Sequence, residues 1–574
     1  MSGPNTPLNG WSCQGGVRCW PVLLLVTLGL PTFLLGLGSP ALYDPHESLY
    51  AEIAREMVLS GDWLTPHLNG TRYLDKPPLF YWLIALAYKA FGVSEFSARL
   101  PVALAGLGGI LVTYGIGRYY FDGNAGFLAG LVLTTSVGYF VFSRQLLPDM
   151  VFTFFTTLSI AGLLRTVADD RQRRRWAVIA SGSLALAVLT KGVLGLFPLV
   201  IVAGYALCLG RWHTLRELVT LRGVLLFTVL TVPWHAWIAW QNTGYAWHYF
   251  ANEQFWRFLG QRHPIDYISL PLPIFFLTLF LWLLPWSPYL ALAIPQLRPR
   301  LAPPDCAARG YLLLLCWAGM LLLFFAVSRA RLPQYSLPAM PALALFIGRS
   351  LDDRSSGRSS NLAGLLIATA VASLLPAVAF LLLPPYLDQY HQVGLTGRSV
   401  TLIRLVFGLM VAGSGVAFWG FARRRWRVGF LTLTVAMAAA FFMTHQVLVE
   451  LAPFRSSSGV AALITAQPVQ GEHIVLEIER DDPFEYEKVA GLAFYTGQPI
   501  DLLRRKNPPI PSLPLKPTER FLLSEAAFRQ LWVSAAQVYL VTDSFRNGEG
   551  VLDQQSRVAV VGQVGGMWVL SNRP

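Results

Sequence analysis

Ionisable side chains are scarce in this sequence. Aspartate, glutamate, lysine and arginine make up 13% of its 574 residues, whereas about a quarter of the residues in a soluble domain are charged. Apolar residues make up 54% of the chain, and the mean hydropathy is +0.48. This balance excludes an ordinary soluble protein, and the long apolar runs predict a chain that crosses a membrane many times.

Cysteine is also rare: the chain has five, and none of them follows residue 448. The C-terminal segment therefore cannot rest on disulfides, and Cys13 and Cys19 are too isolated from other ligands for a zinc site. The sequence shows no internal repeat and no low-complexity segment. Because it also places few charges inside its apolar runs, a transporter or flippase is the weaker of the membrane-protein classes.

Thirteen apolar stretches have about the 20-residue length of a membrane-crossing helix. They lie near residues 21–38, 99–118, 124–143, 149–166, 176–190, 192–209, 221–240, 272–294, 311–327, 335–350, 361–384, 400–421 and 428–448. An amphipathic stretch at 79–91 is short for a span and is expected at the membrane interface. The sequence thus predicts a polytopic α-helical membrane domain over residues 1–448 and a second unit over 449–574.

The net charge of +13 is distributed unevenly. Arginines cluster in alternate loops, at 171–175, 211–216, 298–309, 354–358 and 423–427. Because basic loops remain on the cytoplasmic side, these clusters are topology signals, and they indicate no nucleic-acid surface. The other loops, including 39–98, 241–271 and everything after 448, then share the outer face.

The first outer loop, 39–98, is dense in ionisable residues between Tyr43 and Pro78, where it reads YDPHESLYAEIAREMVLSGDWLTPHLNGTRYLDKPP. Beside a membrane such groups need water, lipid headgroups or a binding site. Asp44 could act as a general base on an acceptor hydroxyl, although helix capping is the commoner role for an aspartate before proline. Two prolines stiffen the chain after Lys76, and a rigid cation at headgroup depth suits a lipid phosphate. Ordinary snorkelling is the alternative for Lys76.

Four more charged residues lie between spans on the outer side. Asp149 opens a span and is a second candidate carboxylate, with helix capping as the alternative. Lys191, Arg329 and Arg331 lie where basic residues are disfavoured. They need an anionic partner, and a phosphate is the natural one.

The loop at 241–271 is rich in aromatic residues, and an interfacial belt explains most of them. Asn252 and Glu253 are not needed by such a belt, so they could bind a sugar or seat the loop. The outer-side histidines are His46, His67, His248 and His263. No two of them have the spacing of metal ligands. The sequence therefore specifies no metal site, and a divalent cation is left open.

After about residue 448 the composition changes to that of a small α/β unit of about 120 residues. Alternation and β-branched residues predict strands at 473–479, 538–543 and 558–562. A helix is expected near 486–495, ending at Gly497, and Ser524 is expected to cap a second helix.

Several segments together resemble one known family. The stretch from Tyr43 through YLDKPPLFYW, the segment NEQFWRF and the segment SRARLPQYSLP are similar to the bacterial 4-amino-4-deoxy-L-arabinose lipid A transferases. That family is related to the protein O-mannosyltransferases, and its members have the glycosyltransferase C-type fold. The resemblance covers nearly the whole chain and is strongest over 43–101 and 328–341.

The resemblance implies an inverting glycosyltransferase of the bacterial inner membrane, active at the periplasmic face. Its donor would be a sugar on polyprenyl (undecaprenyl) phosphate, such as 4-amino-4-deoxy-L-arabinose, and its acceptor lipid A or, alternatively, protein. With the outer-side charges, it assigns catalysis to Asp44 and Asp149, and donor phosphate binding to Lys76, Lys191, Arg329 and Arg331. Contacts to sugar or acceptor are predicted for Glu47, Arg55, Tyr81, Asn252, Glu253 and Tyr335. Membrane lipids are further expected partners, and no cofactor is specified.

Overall fold

The computed structural model describes residues 19–168, 172–265, 267–294, 306–358, 361–387, 396–467, 473–478, 486–504, 523–543 and 558–573. The protein is mostly helical. Within these ranges, eight helical segments are long and apolar enough to cross a membrane. They are Glu95–Tyr120, Pro148–Val167, Arg173–Cys208, Leu221–Gln241, Cys306–Val327, Leu362–Leu382, Gly397–Ala422 and Trp426–Phe454.

Several shorter helices accompany the long ones. Four of them are apolar, at Trp20–Leu34, Leu79–Phe91, Gly123–Thr134 and Leu272–Trp282. Another, Met340–Ser355, is buried along nearly its whole length. Each of the thirteen apolar stretches predicted from the sequence overlaps one of these helices or one of the long segments.

The segment Arg173–Cys208 is two helices joined by a tight turn. The helix Arg173–Lys191 ends where Gly192 adopts a φ of 69°, and a 3₁₀ turn leads into the helix Phe197–Cys208. A β-carbon at Gly192 would lie 2.4 Å from the Tyr249 hydroxyl oxygen. Glycine is therefore required both by the backbone conformation and by this close approach, and the turn fixes the position of the preceding Lys191.

The first outer loop is a compact layer over the membrane helices. It contains the helix His46–Ser60, the antiparallel pair β1 (His67–Leu68) and β2 (Thr71–Arg72), and the helix Leu79–Phe91. Gly61 ends the first of these helices in the left-handed conformation, at a φ of 73°, as glycine commonly does at helix ends.

A buried ion pair ties this loop to the membrane helices. Arg99, in the helix Glu95–Tyr120, donates to both carboxylate oxygens of Glu47 at 3.0 and 2.6 Å. The two side chains are 3% and 1% exposed. The same carboxylate accepts the backbone N–H groups of Tyr43 and Leu146 at 3.0 and 2.7 Å. The predicted contact of Glu47 with substrate is therefore wrong, because four protein donors already occupy its oxygens.

Replacing Glu47 should consequently destabilise the fold. Glu47→Ala leaves the buried Arg99 guanidinium without its counter-ion, and breaking a buried pair in this way costs about 3–5 kcal/mol. We expect a clearly lower melting temperature for the purified variant in detergent. Glu525→Gln, a change at an exposed helix position, is the control that should melt like the wild type. Normal melting of Glu47→Ala together with a raised KM for substrate would restore the binding role.

The C-terminal unit, meaning the described residues after 448, contains a five-stranded mixed sheet. Its strands are β3 (His473–Ile478), β4 (Ile500–Arg504), β5 (Val538–Thr542), β6 (Ala559–Val564) and β7 (Met567–Ser571), in the order β4-β3-β5-β7-β6. β3 pairs parallel with β4 and β5, whereas β7 pairs antiparallel with β5 and β6. Its helices are Ser458–Thr465, Val489–Thr496 and Glu525–Val533. Ser524 caps the last helix, as predicted, by accepting from Ala527 N.

The C-terminal unit docks on the first outer loop through specific polar contacts. Asn69 exchanges two hydrogen bonds with the backbone of Ile500, at 2.7 and 2.9 Å. The Leu42 N–H donates to the Tyr495 hydroxyl at 2.8 Å. Arg55 donates to the Ala493 carbonyl at 3.3 Å and pairs with Glu52 in its own helix at 2.7 Å. Arg55 therefore holds this junction together, and its predicted contact with substrate is corrected to a structural role.

Candidate functional site

A cavity of 1130 Å³ lies where the outer loops meet the membrane helices. Much of its wall is apolar, and it includes the packed rings of Phe197, Phe258 and Phe324. The polar residues on the wall are His46, Tyr50, Tyr73, Lys76, Gln145, Asp149, Lys191, Glu253, Gln254, Arg257, Tyr267, Ser328, Gln334, Tyr335 and Glu487. A mostly apolar cavity with a few convergent charges is the usual form of a ligand site.

Lys76 enters the cavity wall from the first outer loop. Its Nζ lies 3.2 Å from Glu253 Oε2, and 23% of its side chain is exposed. The helix Leu79–Phe91 begins directly after Pro77 and Pro78. The proline rings restrict the backbone on both sides of this junction, which supports the predicted rigid placement of the lysine.

Lys191 and Asp149 form a second charged group on the wall. The Lys191 Nζ lies 2.6 Å from Asp149 Oδ1, and the side chains are 12% and 5% exposed. The Tyr335 ring lies 4.9 Å from the same ammonium, within range of a cation–π contact. Three predicted site residues from three separate segments are thus brought together.

A buried charge network lies behind Lys76. Asp75 accepts from His248 Nε2 at 2.7 Å and from Arg262 at 2.9 Å. Arg262 also contacts Glu253, which in turn pairs with Arg257 at 3.2 Å. This network holds the loop 241–271 against the segment that carries Lys76.

The network lowers the pKa of both carboxyl groups. Burial alone would raise the pKa of Asp75, but the hydrogen bond from His248 and the charge of Arg262 outweigh it and hold that pKa well below its ordinary value. Burial also opposes ionisation of Glu253, and the charges of Lys76, Arg262 and Arg257 reverse this and lower its pKa. The same arrangement raises the pKa of His248, because its hydrogen bond to Asp75 overcomes the effect of burial. Both carboxylates are therefore ionised at neutral pH.

Asp75, His248 and Glu253 also have the donor types of a cation site. Their candidate ligand atoms all lie within 4.8 Å of one another, and two carboxylates with one imidazole suit a divalent transition-metal ion. Because Arg262 contacts both carboxylates, a cation would have to compete with its guanidinium. No feature of the sequence pointed to this cluster, since Asp75 and His248 are 173 positions apart.

Asp44 lies away from the cavity wall, at the junction with the C-terminal unit. Its Oδ2 accepts from the Ser457 N–H and hydroxyl at 2.6 and 2.5 Å, just before the helix Ser458–Thr465. A β-carbon at Gly491 would lie 2.1 Å from Asp44 Oδ1. Burial raises the pKa of Asp44 in spite of the hydrogen bonds from Ser457. Asp44 thus bonds to the residue that precedes a helix of the C-terminal unit and does not line the cavity wall, and its catalytic role stays a prediction.

Arg329 and Arg331 do not line the cavity wall either. The segment 328–332 alternates, so that Ser328, Ala330 and Leu332 line the wall and the arginines between them do not. Arg331 donates to the carbonyls of Ser328 and Leu270. Because neither arginine lines the cavity wall, this cavity does not support their predicted role at the donor phosphate, which stays a prediction.

Two other predicted contacts are also structural. The Asn252 amide donates to the His263 carbonyl at 2.6 Å and accepts the His263 N–H at 2.9 Å, so it closes the loop on itself. Tyr81 is 0% exposed and packs against Tyr50, which does line the cavity, with ring centroids 6.0 Å apart. Neither residue reaches the wall.

Sequence reasoning missed Tyr73 and Glu487 on the cavity wall. The Tyr73 hydroxyl donates to Glu487 Oε1 at 2.9 Å, although the two residues belong to the first outer loop and to the C-terminal unit. Glu487 was hidden by its position 414 residues further along the chain. Tyr73 lies three residues before Lys76, and this closeness in the sequence was the one signal that could have pointed to it as a cavity residue.

The chain is similar to a protein family and to known proteins whose names describe sugar transfer from a lipid phosphate. Residues 75–237 match the family model described as dolichyl-phosphate-mannose-protein mannosyltransferase. The chain is 32% identical, over 67% of its own length and 70% of the relative's, to undecaprenyl phosphate-α-4-amino-4-deoxy-L-arabinose arabinosyl transferase 2 of Pseudomonas fluorescens. It is 31% identical to the arabinosyl transferase of Pseudomonas aeruginosa, over 74% and 76% of the two chains.

A solved structure has the same fold over almost the entire chain. It is ArnT from Cupriavidus metallidurans bound to undecaprenyl phosphate, with a TM-score of 0.76 at 25% sequence identity. The similarity covers 97% of this chain and 98% of that one.

Proposed function

The chain belongs to the undecaprenyl phosphate-α-4-amino-4-deoxy-L-arabinose arabinosyl transferase family, and on that premise we propose the chemistry of its cavity. The protein is a multi-pass inner-membrane glycosyltransferase that uses a lipid-phosphate sugar donor. We propose that it moves 4-amino-4-deoxy-L-arabinose from undecaprenyl phosphate to lipid A. The observation that supports this most is the cavity itself, which combines two fixed lysines with a largely apolar wall.

The two lysines suit the phosphate of the donor. Lys76 and Lys191 each pair with a carboxylate from another segment, so their ammonium groups are already oriented before a ligand arrives. Negative charge on the phosphate grows as the glycosidic bond breaks, and oriented cations stabilise that charge most in the transition state. The apolar part of the wall, including Phe197 and Phe324, suits the polyprenyl chain.

We assign to Asp149 the role of the general base that acts on the acceptor. It is the carboxylate of the predicted catalytic pair that lines the cavity, and its Oδ1 lies 2.6 Å from the Lys191 Nζ. As a general base it would take the proton of the attacking group while Lys76 and Lys191 hold the departing phosphate. Inversion at the anomeric carbon follows from a single displacement.

A protein acceptor is the second candidate. The match of residues 75–237 to a protein mannosyltransferase family favours it. One experiment distinguishes the lipid A acceptor from the protein acceptor. The purified protein is incubated with labelled undecaprenyl-phosphate sugar, lipid A and membrane protein, and lipid is then separated from protein. We expect label in the lipid A fraction. Label in protein alone would establish the second candidate, and label in neither fraction would contradict the proposed donor.

We further propose that the chain crosses the membrane about thirteen times and that the cavity opens on the periplasmic side. The basic loops, among them 171–175 and 423–427, support this orientation. The C-terminal unit would then form a periplasmic domain over the cavity.

Cysteine labelling in intact cells tests this orientation. A cysteine at Gln467, on the C-terminal unit, should react with a membrane-impermeant maleimide. A cysteine at Arg174, in the basic loop, should react only after the cells are broken open. The reverse pattern would place every cavity residue in the wrong compartment.

A further inference from the structure

Three glutamine side chains line the cavity, and none of them has a hydrogen-bond partner among the residues that the structure describes. They are Gln145, Gln254 and Gln334. The two lysines of the cavity are already engaged, since Lys76 pairs with Glu253 and Lys191 pairs with Asp149. A primary carboxamide offers two N–H donors and an oxygen that can accept twice. These amides therefore carry unused hydrogen-bonding capacity, and neutral amides suit hydroxyl groups.

Gln254 is the glutamine whose place in the cavity is most closely fixed. It directly follows Glu253, whose carboxylate pairs with Lys76 at 3.2 Å. Its carboxamide nitrogen would lie 2.9 Å from a β-carbon at Gly192, the residue after Lys191. Because glycine has no side chain, the carboxamide can rest directly against this turn. Gln254 is therefore placed beside both of the lysine groups that we assign to the donor phosphate.

The sugar of the proposed donor carries a hydroxyl next to its phosphate. In the six-membered ring of a 4-amino-4-deoxy pentose linked to phosphate through C1, the remaining hydroxyls are on C2 and C3. The C2 hydroxyl is on the direct neighbour of the carbon that bears the phosphate. A hydroxyl that enters a largely apolar cavity loses its water and needs a protein partner. An amide beside the phosphate-binding lysines is positioned for the C2 hydroxyl rather than for the C3 hydroxyl.

A hydrogen bond at C2 would also assist the chemical step. Positive charge develops at the anomeric carbon as its bond to the phosphate breaks, and hydrogen bonds to the neighbouring hydroxyl strengthen in transition states of this kind. The amide oxygen of Gln254 can accept from that hydroxyl, and its N–H groups can donate to it. A neutral carboxamide does this without placing a further negative charge near the departing phosphate.

We propose that Gln254 binds the C2 hydroxyl of the donor sugar and selects donors that carry this hydroxyl. This inference rests on the proposed function. It adds a neutral sugar contact between the two lysine groups, and it gives the outer loop 241–271 a direct part in donor selection.

The test compares three donors on the full-length purified protein. They are the complete amino sugar, its 2-deoxy form and its 3-deoxy form, each linked to undecaprenyl phosphate. The measured quantity is the kcat/KM of the complete donor divided by that of each deoxy donor. The intrinsic reactivity of each donor is the same for every variant, so it cancels when variants are compared.

Gln254→Met removes the amide and nearly keeps the length of the side chain. It should lower the ratio for the 2-deoxy donor about 5- to 100-fold, the range for leaving a buried polar group without its partner. The ratio for the 3-deoxy donor should stay at its wild-type value, which shows that the cavity is intact. Gln261→Met, at an exposed glutamine of the same loop that does not line the cavity, is the matched control and should keep both ratios.

Two results would overturn the hydroxyl contact and leave the proposed function standing. One is an unchanged 2-deoxy ratio in Gln254→Met. The other is a fall in the 3-deoxy ratio that equals or exceeds the fall in the 2-deoxy ratio, because the variant would then disturb the cavity without regard to C2. If the wild type transfers none of the three sugars, the proposed donor is wrong and the inference fails with it.

Discussion

Asp149→Asn should lower the single-turnover rate of sugar transfer by about 10²- to 10⁴-fold, the usual contribution of a general base. Asparagine has nearly the same shape and keeps an oxygen facing Lys191, but it cannot accept the acceptor's proton. Donor binding should remain close to normal, because Lys76 and Lys191 both remain. Quenched-flow transfer with a preformed donor complex separates the chemical step from binding.

Asp44→Asn is the matched control for this experiment. Asp44 accepts hydrogen bonds from Ser457 at the start of a helix, and asparagine caps helices about as well as aspartate. Its transfer rate should therefore stay near that of the wild type. A normal rate for Asp149→Asn together with a large loss for Asp44→Asn would return the catalytic role to the residue first suggested by the sequence.

Lys76→Ala should weaken the affinity for undecaprenyl phosphate about 10- to 100-fold, the value of a charge-assisted hydrogen bond. It should slow the chemical step as well, because charge on the departing phosphate increases in the transition state. The fold should survive the change, since Glu253 retains Arg257 and Arg262 as partners. Binding of the lipid phosphate to purified protein measures the first effect, and single-turnover transfer measures the second.

Two further variants make the Lys76 result specific. Lys76→Arg should recover little, because a planar guanidinium does not replace a compact ammonium in a confined site. Lys89→Ala removes an exposed lysine of the same loop that lies over the Trp63 ring, and it should bind like the wild type. Unchanged binding and rate in Lys76→Ala would mean that this lysine only reaches toward the headgroups.

Features that depend on local sequence could be predicted in advance. The membrane helices follow from long apolar runs, and each predicted span overlaps a helix. The position of Lys76 follows from the two prolines after it, and the cap at Ser524 follows from the helix pattern after it. In each case the residues that determine the structure are neighbours in the chain.

Features that depend on tertiary contacts were missed or misassigned. Asp44 has the residue type and the position expected of a catalytic loop residue, but its hydrogen-bond partner, Ser457, lies 413 residues away. Arg329 and Arg331 belong to a segment that does line the cavity, but the residues of that segment on the wall are their neighbours Ser328, Ala330 and Leu332. Glu47 carries the charge expected of a ligand contact, but its carboxylate pairs with Arg99, which lies 52 positions further along the chain. A charged residue near a membrane needs a partner, and the sequence alone does not show whether that partner is a substrate or the protein.

The most direct test is an experimental structure of the full-length protein with undecaprenyl phosphate bound, determined in a lipid nanodisc. If Lys76 and Lys191 bind the donor phosphate, the phosphate density should contact both lysines, and the polyprenyl chain should lie along Phe197 and Phe324. Phosphate density on the outer face of the segment 328–332, against Arg329 and Arg331, would contradict it.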